Sequence, residues 1–204
     1  MTTARVRSQY HHGDLEHALI ATARKMVKRN GTDELSLRKV AHEVGVSPSA
    51  VYHYFPDRNS MLGALGKSLF EELADYQDAK LAEVIGNSHR AVKERFRTLG
   101  RTYFDWAIKE PHFFNLMFSD FCLLTNNGKN PDESRAFNNL TSCLDELLAT
   151  GLIDRKIRPY GELIAWSSVH GATSLIVAGH LQPEEFDQML DGLELAMGIR
   201  RSAL

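Results

Sequence analysis

The chain has 204 residues, with 24 Lys and Arg against 26 Asp and Glu and a formal net charge of −2. That length holds one sizeable or two small domains with a proper core. Its only cysteines, Cys122 and Cys143, form no CxxC pair, which argues against a disulfide framework or structural zinc site and for a reducing compartment.

The near-neutral total hides an uneven distribution. Residues 1–60 hold nine Lys and Arg against six Asp and Glu, with five of the nine histidines; the remainder holds fifteen against twenty. The opening part is therefore the basic end. Residues 1–9 read as a flexible basic arm that carries Arg5 and Arg7. No continuous apolar run of the signal-peptide kind occurs there, so a cytoplasmic location is expected. His11, His12 and His17 have no cysteine nearby, and the adjacent pair points in different directions, so no metal site is expected.

Asp14 is placed to cap a first helix with a buried stripe of Leu15, Leu19, Ala23, Met26 and Val27, ended by Asn30-Gly31. Arg24, Lys25, Lys28 and Arg29 gather toward its C-terminal end, where they complement the helix dipole. Between Leu37 and Val44, the residues Leu37, Val40, Ala41 and Val44 fall at i, i+3, i+4 and i+7, a two-turn helix that Ser36 can cap. Gly45, free to take the left-handed conformation, stops it, and Ser47-Pro48 starts another helix. Val46, Val51 and Phe55 point back at the first of the pair. That leaves Ser49, Ala50, Tyr52, His53 and Tyr54 wholly or partly on outward faces, small, hydroxylic or flat residues that suit a groove. Two short helices around a tight glycine turn are the helix-turn-helix arrangement of DNA-binding proteins.

Phe55-Pro56 ends the second helix, and Asp57 caps a longer one through Met61, Leu62, Leu65 and Leu69. Arg58 in its first turn, with the amides of the helix start, makes a candidate phosphate clamp. Further helices are predicted over Ser88–Lys109, Glu133–Ala149, Tyr160–His180 and Pro183–Arg200. A short aromatic segment spans His112–Phe121, and Thr125–Pro131 reads as a loop. No strand pattern appears, so the expected fold class is all-α. Leu163–Pro183 lacks charged residues over 21 positions, enough to span a bilayer, but its serines, histidines and small residues favour a helix buried inside a protein or dimer.

With L-S-L-R-K-V-A, V-G-V-S and V-Y-H-Y-F-P-D-R followed by a leucine-rich helix, residues Leu35 to Leu65 resemble the DNA-binding end of the TetR family of bacterial transcriptional repressors. The opening Y-H-H-G-D-L, the stretch Trp106–Phe118 and W-S-S-V-H-G at Trp166–Gly171 resemble the branch of that family named for its Trp-His-Gly signature. The resemblance implies a helix-turn-helix DNA-binding domain over residues 10–57, a connecting helix over 58–80 and an effector-binding and dimerisation domain over 81–204. It also implies a homodimer joined through the two C-terminal helices, a double-stranded inverted-repeat operator, and an unidentified small-molecule effector whose binding releases the DNA.

Carried over position by position, Arg38, Ser49, Ala50 and Tyr52 match where relatives reach bases. Ser36, Ser47, Tyr52, His53, Tyr54 and Arg58 match positions near phosphate, and Pro48 occupies a position that varies among relatives. For the effector, seven of eighteen aromatics fall between Tyr103 and Phe121. Phe104, Phe113, Phe114, Met117, Phe118 and Phe121 form either a pocket lining or core. Trp166 and His170 either orient a ligand or are satisfied core residues. No cofactor and no catalytic residue is expected: the chain lacks G-x-G-x-x-G, a phosphate loop, H-E-x-x-H and a nucleophile elbow. The competing reading is a nucleoid or partition factor that shares the DNA-binding head and has no ligand control.

Overall fold

A computed structural model describes residues 12–120 and 134–199, and among them every regular element is helical. Phe121, Cys122, the loop assigned to Thr125–Pro131 and the basic arm with Arg5 and Arg7 lie outside the described residues.

Helix α1 spans His12–Asn30, so Asp14 lies in its first turn, where its charge favours the N-terminal dipole, and not at the cap. Helix α2, Leu37–Val44, ends on Gly45 at φ 82°, and α3, Pro48–Tyr54, starts from Ser47, whose Oγ accepts the Ala50 amide at 3.3 Å. Ser36 occupies the N-cap of α2 with extended backbone but makes no side-chain capping bond. Helix α4 runs unbroken from Arg58 to Ala82, with the Asp57 carboxylate accepting the Ser60 amide at 2.7 Å and the Ser60 hydroxyl at 2.8 Å. These bonds hold the Asp57 carboxyl below its usual range, because each favours the charged form.

The second part holds α5, His89–Lys109, and α6, Pro111–Met117, then α7, Arg135–Ala149, α8, Gly161–Val177, and α9, Glu185–Ala196. Ser134 caps α7 through a 3.2 Å bond from the Phe137 amide. The last two helices are shorter than the sequence suggests, since glycines in the left-handed region turn the chain after each: Gly179 at φ 77° and Gly198 at φ 65°.

One contiguous apolar core links both parts. Leu19, Ala23, Met26 and Val27 of α1 meet Leu37, Val40 and Ala41 of α2, Val51 of α3 and Met61, Leu62 and Leu65 of α4, all buried. Each large side chain so buried stabilises the fold by roughly 1.5–3 kcal/mol. Helix α4 packs on α1 at its start and on α5, α6 and α7 further along. Polar contacts brace the same junction. Arg24 of α1 pairs with Glu72 of α4 at 2.6 Å and lies 4.8 Å over the Phe113 ring of α6, while Lys28 pairs with Glu110.

Candidate functional site

Helices α2 and α3 hold a set of outward side chains on the basic end of the chain. Arg38, Ser47, Pro48, Ser49, Tyr52 and His53 are exposed, and Ser36, Ala50, Tyr54 and Arg58 are half-buried. Tyr52 retains 47% of its surface, although its neighbour Val51 is fully buried. The Ser47 and Ser49 hydroxyls lie 2.9 Å apart, and His53 meets Tyr54 edge-on with ring centres 5.4 Å apart. The Arg38 guanidinium makes no ion pair among the described residues, unlike Lys39, which pairs with Glu34 at 3.0 Å.

Arg58, the candidate phosphate clamp from sequence, has two of its nitrogens on backbone carbonyls. Its Nε donates to the Leu35 carbonyl at 3.1 Å and its Nη2 to the Thr32 carbonyl at 2.5 Å. The guanidinium thus ties the turn before α2 to the start of α4, fixing the helix-turn-helix against the long helix.

The second feature is an apolar cavity among α4, α5, α7 and α8, with about 610 Å³ of empty space, its open side included. Helix α4 supplies Phe70, Leu73 and Gln77, and α5 supplies Phe96, Leu99 and Tyr103. Phe137 and Leu140 of α7 and Ala165, Trp166 and Val169 of α8 complete the sides, and Phe118 closes one end. Gly100 lies on the same wall, where an added Cβ would meet Leu190 Cδ2 at 3.1 Å. Its missing side chain leaves room for the Leu190 side chain of α9.

Of the pocket candidates from sequence, the cavity takes Phe118 and Trp166. The other described phenylalanines and Met117 serve as packing. Phe104 stacks on Phe186 of α9 at 4.1 Å, Phe113 is fully buried beneath Arg24, and Met117 is 2% exposed. Phe114 packs edge-on to Tyr103 and lies 5.5 Å from the His170 ring. His170 adjoins the cavity without lining it: its Nδ1 is 2.7 Å from the Tyr103 hydroxyl, and its ring centre is 4.4 Å from that of Phe118. Sequence reading missed the α4 and α7 contributions, because their apolar positions look like ordinary core stripes until the helices are packed.

Among the described residues Cys143 is the one cysteine, and it is buried. Burial pushes the Cys143 thiol up to about 12, so it is a core side chain at neutral pH. Among the described residues no group of three or more His, Cys, Asp or Glu is arranged to hold a metal ion. No helix among them is long and apolar enough to cross a membrane.

A helix-turn-helix head joined by one long helix to a helical body with a cavity is the architecture of a DNA-binding transcriptional regulator. The family model described as bacterial regulatory proteins, tetR family, matches residues 19–65, and that described as tetracyclin repressor-like, C-terminal domain, matches residues 96–195. The chain belongs to the TetR family of bacterial transcriptional regulators. It is similar to the HTH-type transcriptional regulator Rv1816 of Mycobacterium tuberculosis, at 26% identity over 104 residues, 51% of this chain and 43% of that protein. The match therefore spans less than half the length of that curated relative. In fold it resembles a TetR-family regulator from Pectobacterium atrosepticum, with a TM-score of 0.70 and 20% identity over 97% of this chain and 100% of the other. A protein of unknown function from Rhodococcus sp. RHA1 is similar to the same degree, with a TM-score of 0.70 and 24% identity over 94% and 97%.

Proposed function

We propose that the protein is a homodimeric, cytoplasmic repressor that binds an inverted-repeat operator and is released from it by a small molecule. The observation that carries this reading is the course of α4. The helix begins beside the helix-turn-helix, where Arg58 fastens it, and further along it lines the cavity through Phe70, Leu73 and Gln77. A guest in the cavity thus touches the element that positions the head. Release requires only that the guest favour a head spacing which fits the operator less well.

Within this reading, residues 10–57 are the DNA-binding domain, 58–80 the connecting helix and 81–204 the effector and dimerisation domain. Arg38, Ser49, Ala50 and Tyr52 contact bases, and Ser36, Ser47, His53 and Tyr54 lie along the phosphates. The partner copy packs on α8 and α9. Leu163, Leu175 and Leu195 are exposed there at 68%, 45% and 67%, and a Cβ added at Gly171 or Gly192 meets nothing within 4 Å. Leucines and open glycines on neighbouring outer faces are what close packing of a second copy needs. Trp166, His170 and Gly171 support placement in the Trp-His-Gly branch.

The test is selection of fragments from the source genome on the purified protein, then anisotropy titration of the best fragment at two salt concentrations. Binding of an inverted repeat at least ~1,000-fold tighter than random duplex is the expected result. Uniform weak binding by ligand-stripped protein overturns the reading in favour of a non-specific DNA-packaging protein.

A further inference from the structure

The cavity walls define the chemistry of the guest. Among the described residues, no side chain lining the cavity carries a charge, either acidic or basic. An ion moved there gives up its hydration and meets no counter-charge, a penalty that apolar contacts do not repay. Six of the wall residues are aromatic, namely Phe70, Phe96, Tyr103, Phe118, Phe137 and Trp166, and such faces favour a flat ring.

Of the polar groups on the walls, Tyr103, Trp166 and Ser134 are engaged internally, the Trp166 indole with the Tyr103 hydroxyl. The Tyr103 oxygen lies 2.7 Å from His170 Nδ1, and Ser134 Oγ accepts the Phe137 amide at 3.2 Å. Gln77 differs. It is only 4% exposed, and its Oε1 accepts from Asn139 Nδ2 at 3.4 Å. The same Nδ2 donates to Asp78 Oδ1 at 2.7 Å, while Arg135 Nη1 donates to Asp78 Oδ2 at 2.8 Å. A carboxylate only accepts, so Asp78 fixes which end of Asn139 is nitrogen, and Asn139 in turn fixes the oxygen end of Gln77. The Gln77 Nε2 hydrogens are left without a partner among the described residues, on a side chain that lines the cavity.

We propose that the effector is a neutral, ring-bearing apolar molecule with a hydrogen-bond acceptor, such as a ketone, ester or amide carbonyl, that takes the Gln77 Nε2 hydrogens. This rests on the reading of the cavity as the effector site. It makes Gln77 a specificity-determining residue on α4 itself, so the polar end of the guest is recognised by the helix that leads to the DNA-binding head.

The test uses titration calorimetry on the full chain with four probes that share a naphthalene ring: 2-acetylnaphthalene, 2-ethylnaphthalene, 2-naphthoate and the ammonium of 2-(aminomethyl)naphthalene. The ketone is expected to bind about 3- to 10-fold tighter than the hydrocarbon, the factor one neutral hydrogen bond supplies. Both ions are expected to bind roughly 100-fold or more weakly than the ketone. Gln77→Leu should bring ketone and hydrocarbon to equal affinity, and Gln77→Glu, which exchanges donor for acceptor, should weaken the ketone should the leucine variant fail to fold. Tighter binding of either ion, a ketone preference that survives both substitutions, or no binding of any probe overturns the proposal. Operator anisotropy on the same samples separates it from the reading beneath it. Probes that bind in this order without releasing DNA uphold the pocket chemistry and sink ligand control; release by the charged probes alone does the reverse.

Discussion

Tyr103 on α5 and His170 on α8 meet at 2.7 Å, phenol oxygen to Nδ1, at the edge of the cavity. Burial raises the phenol well above its ordinary range, offset in part by a hydrogen bond with Trp166, and burial lowers His170. At neutral pH both are uncharged, so the phenol and Nδ1 share one hydrogen bond whose direction follows the imidazole tautomer, and Nε2 lies 3.4 Å from the Ser174 hydroxyl.

A pH dependence of stability follows from His170. Its folded value lies below the ordinary 6.5, so as pH falls from 6.5 toward that value the unfolded chain takes up a proton that the folded chain refuses. Its contribution is complete above 6.5 and is lost as the solution is acidified through that window. Thermal melts between pH 7.5 and about 5 should show a falling midpoint, and His170→Gln should flatten that part of the slope. Equal slopes in both proteins would remove His170 as the cause.

Arg58→Ala is expected to cost about 1.5–3 kcal/mol of folding stability, because the Thr32 and Leu35 carbonyls lose a charged donor. DNA affinity should fall, since the head is no longer fixed to α4, while the salt dependence of binding stays as in the parent. A salt slope lower by about one would instead return Arg58 to the phosphate contacts.

Tyr52→Ala removes a side chain that is 47% exposed, so the melting midpoint should barely move. The ratio of operator to random-duplex affinity should drop about tenfold, the effect of losing one base contact of 1–2 kcal/mol. Anisotropy on both duplexes decides it: an equal fall on each would make Tyr52 a backbone-positioning residue.

Gly171→Leu places its side chain where nothing lies within 4 Å in the protomer. The protomer should fold, and sedimentation velocity should show the dimer at least ~10-fold weaker, the loss that ~1.4 kcal/mol brings. A fully dimeric variant would place the partner copy elsewhere.

The head was legible because its signals are local. Gly45, Ser47, Pro48 and Asp57 act on neighbours within a few residues, and the apolar spacing of α1, α2 and α4 names its own buried face. The carbonyl partners of Arg58 were not legible, because they lie 23 and 26 residues earlier and carbonyls leave no trace in a sequence. The aromatic segment left pocket lining and core both open for a related reason. Phe104 finds its stacking partner in Phe186, and Phe113 meets Arg24, contacts that depend on how the helices cross. Gln77 gave no signal at all, since a lone glutamine on an amphipathic helix reads as surface; only the packing of α7 against α4 buries it.

The uninterrupted course of α4 also sets a mechanical gain. At 25 residues the helix is roughly 37 Å long, so a tilt of about 5° about one end carries the other by roughly 3 Å. That displacement is close to the 3.4 Å spacing of successive bases along a strand. In a two-fold pair the opposed shifts of the two heads add, and a modest rotation at the cavity puts the second head out of register with its half-site.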